Sequence, residues 1–215
     1  MDKVDKYTRC RPLFGDNFEN LQKKKILLLG VGGVGSFCLE GLYRTGITDI
    51  TIVDFDTYDV TNQNRQLGSD KIGMIKVERL KEIYPNVEPL NLKITPEWIE
   101  KQDFSKYDLV IDAIDDMKAK VALAKHLHVK LVSSMGGAKK LDPTHIKSDS
   151  IWKTQGDPLA KKFRSELRKD GFDGDFDVVY SNEQSICSNL GSFVGVTGSM
   201  GLALCSLAVR KLLKN

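Results

Sequence analysis

Cysteine is scarce in this chain, and Cys10, Cys38, Cys187 and Cys205 form no CxxC pair. No histidine stands at zinc-ligand spacing from them, which argues against a structural zinc site. A chain of 215 residues fills a core without covalent staples, so free thiols in a reducing cytoplasm are expected instead of a disulfide framework. Net charge is scarce too. The 32 Lys+Arg against 29 Asp+Glu leave +3, too little for overall basicity to announce a nucleic acid, so local clusters must carry that argument. There is no internal repeat, low-complexity tract or dividing linker. With 41% hydrophobic and 28% charged residues, residues 1–215 read as a single folded domain. Met1–Phe14 is polar and charged, so no secretory signal is expected.

Only one long run lacks charge. Gly191–Val209 (GSFVGVTGSMGLALCSLAV) is about as long as a minimal bilayer span and sets Gly191 and Gly195 at small-xxx-small spacing. It is rich in Gly, Ser and Thr, lacks an aromatic belt and stands alone. These weak flanks favour a buried or interface helix over a span, and no membrane is expected.

What is present is an alternation of strands and helices. Lys25–Leu29 is a continuous apolar run followed by Gly30, as a buried parallel strand would be. A helix is expected from Gly33 to about Thr45, a strand over Asp49–Val53, and a helix over about Lys71–Tyr84, stopped by Pro85. Further strands are expected over Val87–Ile94, Tyr107–Ala113 and Val129–Ser134, with a helix near Lys118–His126. This rhythm implies right-handed crossovers and a parallel sheet. After Gly137 it changes. Thr144–Ile151 alternates as an antiparallel or edge strand does, and Asp157–Lys169 is an amphipathic helix with Asp157 as its cap and Pro158 at its first position. Asp177–Ser181 is a last strand. The fold class is therefore α/β, a Rossmann-like doubly wound mixed sheet. It is parallel in the N-terminal half, with antiparallel strands added in the C-terminal third.

Gly30-Val-Gly32-Gly33-Val-Gly35 fits GxGxxG between the first strand and its helix. The first glycine permits the tight turn, the second lets phosphate approach the backbone, and the third lets the helix pack on the strand. The helix N-terminus then faces an anion with free N–H groups. Asp54 ends the second strand, where a carboxylate takes ribose hydroxyls, and Asp56 follows it. These features suit NAD as well as ATP. The choice turns on Val60-Thr-Asn62-Gln-Asn64-Arg65-Gln66 and on Lys76, cations suited to a triphosphate losing pyrophosphate. No GK[ST] ends the glycine loop, so it is not the hydrolysing P-loop. Asp115, just past the fourth strand, suits Mg²⁺ bridging phosphates. ATP and Mg²⁺ are the expected ligands.

With these motifs in this order, residues from about Arg9 to Ser134 resemble the ubiquitin-activating-enzyme-like adenylating superfamily, which includes activators of bacterial sulfur-carrier proteins. The resemblance implies that Asp115 holds the metal, that Asn62 and Arg65 touch ribose and phosphates, and that Lys76 meets the triphosphate. It also implies a homodimer in which Arg11, or failing that Arg9, reaches the partner's ATP. Leu141-Asp-Pro-Thr-His-Ile, Asp157-Pro-Leu-Ala and Val179-Tyr-Ser-Asn-Glu183 are similar to the superfamily's branch of tRNA threonylcarbamoyladenosine dehydratases. That branch implies tRNA as substrate, its carboxylate adenylated and then closed into a ring. The stretch around Gly171–Asp177 is shorter than in longer members of the family. The competing expectation is adenylation of a ubiquitin-like sulfur carrier, with a sulfur-transfer protein as partner. The nucleotide-binding half is placed at about 20–135 and the substrate and interface part at about 136–215.

Two features stay open at this level. Lys161, Lys162, Arg164, Arg168 and Lys169, with Lys139 and Lys140 before them, are either a tRNA footprint or a solvated face. Cys187, which precedes the uncharged helix, is either a thioester cysteine or a bystander, and ring closure needs no thiolate.

Overall fold

Short aliphatic runs, each closed by a turn, become the strands. The computed structural model describes residues 4–214; Met1–Lys3, the start of the polar N-terminal stretch, and Asn215 lie outside the described residues. Two short helices, α1 (Arg11–Phe14) and α2 (Asn17–Gln22), lead into β1 (Ile26–Leu29), α3 (Gly35–Thr45) and β2 (Ile50–Val53). There follow α4 (Lys76–Ile83), β3 (Glu88–Leu90), α5 (Pro96–Lys101), β4 (Leu109–Asp112), α6 (Met117–Leu127) and β5 (Leu131–Ser134). The chain ends with β6 (Ile146–Ser150), α7 (Pro158–Lys169), β7 (Asp177–Ser181) and α8 (Val194–Leu212).

These strands form one sheet in the order β3-β2-β1-β4-β5-β7-β6. All neighbours run parallel except β6, which lies antiparallel on β7 at the far edge. The chain winds outward from β1 to β3, then crosses back to place β4 on the other side of β1. That reversal opens a crevice beyond the carboxyl ends of β1 and β4, where open α/β sheets bind ligands.

Alternation along the strands divides the core in two. Ile26 and Leu28 of β1, with Ile50, Ile52, Leu109 and Ile111, face α3, α4 and α8. Leu27, Leu29, Val53, Val110 and Leu131 face α5, α6 and α7. The strands of the sheet centre are buried on both faces, which explains their unbroken aliphatic sequences.

The uncharged run is α8, and its composition has a packing cause. A side chain at Gly201 would lie 2.3 Å from the Val34 carbonyl oxygen, and one at Gly41 of α3 would lie 2.8 Å from Cys205 Sγ. Small residues thus let α8 lie close against α3, with Met200, Leu204 and Ala208 completely buried. Among the described residues no helix is long and apolar enough to cross a membrane.

Several elements differ from expectation. The strand expected over Val87–Ile94 keeps only three residues, because Pro89 cannot donate to a ladder and belongs at an edge. The rest leads into α5, whose Thr95 Oγ1 accepts from Trp98 N at 3.2 Å with Pro96 at the first helical position. The helix expected from Lys71 begins only at Lys76, since 71–75 is spent in a turn against Tyr58. Helices α1, at the end of the polar Met1–Phe14 stretch, and α2, just beyond it, are absent from the expected elements.

Candidate active site

The glycine loop is shaped by backbone crowding at two positions. Gly30 takes φ +82°, and a Cβ there would meet the Ala113 carbonyl oxygen at 2.8 Å. A Cβ at Gly35 would lie 1.9 Å from the Gly30 carbonyl oxygen, so α3 can start this close to β1 only with glycine. Gly32 is different: a Cβ there would find only Gln66 Nε2, at 3.7 Å. Its freedom from protein contacts leaves room for a ligand's approach to the backbone, above the positive end of α3.

Asp54 is buried beneath this loop. Its Oδ2 accepts from Val31 N and its Oδ1 from Asp56 N, both at 2.9 Å. One carboxylate therefore holds the glycine loop and the end of β2 in register. Each oxygen keeps a lone pair for a further donor such as a ribose hydroxyl.

Between β2 and α4 the chain doubles back on itself. Tyr58 N donates to Met74 O at 2.9 Å, and Gly73 N to Tyr58 O at 2.8 Å. This clasp brings Lys76 to Asp56, where Lys76 N meets the Asp56 carbonyl at 3.0 Å and Nζ meets Oδ2 at 2.9 Å. Lys76 is 4% exposed and lines the cleft. A capping box fixes Asn62, whose Oδ1 accepts from Asp59 N at 3.0 Å. Arg65 Nη1 donates to Thr61 O at 2.7 Å and to Asn64 Oδ1 at 2.8 Å, which holds its guanidinium at the cleft rim.

Asp115 lies in the turn from β4 to α6, exposed at the cleft. Both flanks of that turn are fixed: Asp112 Oδ1 accepts from Ile114 N at 3.1 Å, and Asp116 Oδ1 caps α6 through Ala119 N at 2.9 Å.

Together these segments surround a cavity of about 610 Å³. Gly30, Gly32, Gly33, Asp54, Asp56, Asn62, Arg65, Lys76 and Asp115 all line it. Gly35 does not, being spent on packing, and neither does Arg11. Arg11 instead holds Asp5 through two hydrogen bonds of 2.8 and 2.7 Å and lies 5.5 Å over the Phe18 ring. Sequence reasoning missed Phe55 and Lys93, which meet at 5.5 Å on one wall. It also missed Met135, Gly136, Leu159 and Thr197 on the opposite side. Leu159 stands inside the Asp157-Pro-Leu-Ala match without being singled out there, and no local signal marks Met135, Gly136 or Thr197. Gln66 closes the Val60–Gln66 segment; its buried Oε1 has no partner among the described residues, and the side chain lines the cleft.

The residues fit a metal nucleotide. Among the described residues no group of three or more His, Cys, Asp or Glu could hold an ion by itself. Asp115, exposed at the cleft with Arg65 and Lys76 lining the same cavity, is a carboxylate that could hold Mg²⁺ while phosphates complete its shell.

The C-terminal cations divide. Lys140 is not available to a polyanion: it is 5% exposed, and its Nζ meets Asp157 Oδ2 at 3.2 Å and the Ser181 carbonyl. Lys139 is tied to Ser188 O at 2.6 Å, Arg164 donates to Thr154 Oγ1, and Lys169 pairs with Glu166 at 2.8 Å. Lys161 and Lys162 remain exposed on α7. Cys187 is exposed on the loop before α8, does not line the cleft, and its Sγ meets Asn189 O at 3.3 Å.

Comparison with known proteins is consistent across the chain. The tRNA threonylcarbamoyladenosine dehydratase of Bacillus subtilis is 40% identical over 183 residues, 80% of this chain and 72% of that protein. The protein of the same name from Haemophilus influenzae is 34% identical, over 93% of this chain and 89% of its own. A solved structure of the Escherichia coli tRNA N6-threonylcarbamoyladenosine dehydratase in complex with ATP superposes with a TM-score of 0.89. It is 33% identical, over 97% of this chain and 94% of that one. The ThiF family model matches residues 7–213, and the chain belongs to the ThiF family.

Proposed function

We propose that this protein is an ATP-dependent tRNA threonylcarbamoyladenosine dehydratase, acting in the cytoplasm with Mg²⁺. The observation that carries this reading is the single cleft in which the glycine loop, Asn62, Arg65, Lys76 and Asp115 converge from separate segments. The named relatives supply the substrate class.

In this reading a carboxylate oxygen of the modified adenosine attacks the α-phosphorus of ATP, and the bond to pyrophosphate breaks. Arg65 and Lys76 hold the charge that develops on the leaving group, and Asp54 keeps the loop amides aimed at the phosphates. Asp115 would hold Mg²⁺, which would supply neutralisation of phosphate charge when bound. A nitrogen of the same threonylcarbamoyl group then attacks the acyl carbon. The C–N bond forms, the C–O bond to AMP breaks, and the nitrogen loses its proton. The sum is loss of one water from the tRNA and conversion of ATP to AMP and pyrophosphate. The nucleophile is already tethered, so its effective molarity is high and no enzyme thiolate is needed.

The protein works as a homodimer in this reading. Leu190, Phe193, Val194 and Leu202 are exposed on and before α8, an apolar surface suited to a partner. Arg11 then serves the partner's phosphates. Arg11→Ala and Asp115→Asn homodimers are each expected to be nearly inactive, and subunit exchange between them to restore about a quarter of the sites. Verified exchange without recovery removes Arg11 from this role. For the substrate, ATP–pyrophosphate exchange driven by tRNA supports the reading; exchange driven only by a carrier protein with a Gly-Gly tail replaces it.

A further inference from the structure

We infer that Lys120 is a positioning residue that locks the metal-bearing turn of the cleft to the end of β5; this rests on the proposed role of Asp115. Lys120 lies one helical turn into α6 and is completely buried, as is its partner Asp112. Its three donors are all used: Nζ meets Asp112 Oδ2 at 2.8 Å, Ser134 O at 2.9 Å and Ser133 Oγ at 3.2 Å. Ser133 Oγ in turn donates to Asp112 Oδ2 at 2.6 Å.

A buried ion pair is a poor source of net stability, since desolvation offsets most of the attraction and apolar replacements often do as well. The surroundings offer that alternative, because Ala119, Leu123 and Ala124 beside Lys120 are buried and apolar. What the pair supplies is geometry. Asp112 fixes the start of the turn through Ile114 N, Asp116 fixes its end as the cap of α6, and Lys120 joins the two by bonding α6 back to Asp112. The residue between these anchors is Asp115. The bond to Ser134 O extends the clamp to the strand end that leads into Met135 and Gly136 on the cleft wall.

The test is ATP affinity by titration calorimetry on the full-length protein, with and without Mg²⁺. Asp112→Asn with Lys120→Met removes both charges together and leaves no bare ion buried. The double variant is expected to fold and to bind metal-free ATP as the wild type does. Its half-saturating Mg²⁺ concentration should rise about 10-fold or more, as when groups behind a metal ligand are removed. A merely structural role would lower Tm and leave the Mg²⁺ midpoint unchanged. If the double variant does not fold, Ser133→Ala carries the test, with a smaller shift of the same midpoint expected. A folded variant of either kind with the wild-type midpoint overturns the inference. Wild-type ATP affinity that ignores Mg²⁺ overturns the metal assignment itself, and this inference with it.

Discussion

The nucleotide side of the cleft takes its residues from the turns after β1, β2 and β4, from the 60–66 segment, from the start of α4 and from Lys93 and Ile94 before α5. The opposite side takes Met135 and Gly136 from beyond β5, Leu159 from the first turn of α7, and Thr197 from the first turn of α8. The first side is polar and anchored by carboxylates that hold backbone N–H groups. The second is mostly apolar and is anchored from behind by the buried pair of Lys140 and Asp157, which also caps α7. Phosphates are the same in every nucleotide, so their cradle can be a short motif. In the proposed reaction the second side has only to fit one acyl group, and any set of surfaces that closes around it would serve.

The largest effect expected from this contrast is at Asp115. Asp115→Asn should lower the rate of ATP–pyrophosphate exchange by about 10²-fold or more while leaving the melting curve intact; a near-native rate would move the metal elsewhere. Next comes a contrast within the glycine loop. Gly35→Ala forces a Cβ to within 1.9 Å of the Gly30 carbonyl oxygen. It should cost about 2–3 kcal/mol, a drop of about 5–10 °C in Tm. Gly32→Ala meets no protein atom closer than 3.7 Å, so it should leave Tm nearly unchanged and weaken ATP. Equal Tm losses in both would show that Gly32 serves packing alone.

On the other side, Leu159→Ala should raise the KM for tRNA by roughly fivefold, the equivalent of about 1 kcal/mol of lost apolar contact, without changing the KM for ATP. A change confined to ATP would reverse the assignment of the two sides.

A pH-dependent effect lies along the seam where α3 meets α8. Burial pushes the Cys205 thiol up to about 12, and burial, helped by the neighbouring Cys205, raises Cys38 well above its ordinary value. The folded state therefore binds these protons more tightly than the unfolded chain. The contribution is complete below the unfolded thiol pKa near 9.0 and is lost as pH rises toward the folded values. Each thiol then contributes a slope of up to about 1.4 kcal/mol per pH unit. Urea unfolding at pH 8, 9.5 and 10.5 reads this slope, and iodoacetamide at pH 8 should label exposed Cys187 while sparing Cys38 and Cys205.

The nucleotide half was legible because close backbone approaches leave a glycine signature, and because Asp54 and Asp115 directly follow strands while Lys76 opens a helix. The boundaries were less so. The turn at 71–75 reads as helix by composition, and only its pairing with Tyr58 reveals otherwise. Lys140 and Lys120 look like surface lysines in sequence, since the carboxylates that allow their burial lie 17 and 8 residues away. The uncharged run of α8 is explained by the glycine contacts with α3, a tertiary cause that no window of sequence contains.

The central claim is tested most directly by mass spectrometry of nucleosides from tRNA incubated with the purified protein, ATP and Mg²⁺. The account predicts that threonylcarbamoyladenosine loses the mass of one water, with AMP formed in equal amount, and that omission of ATP abolishes the change. Unchanged nucleosides alongside rapid adenylation of a sulfur-carrier protein would contradict it.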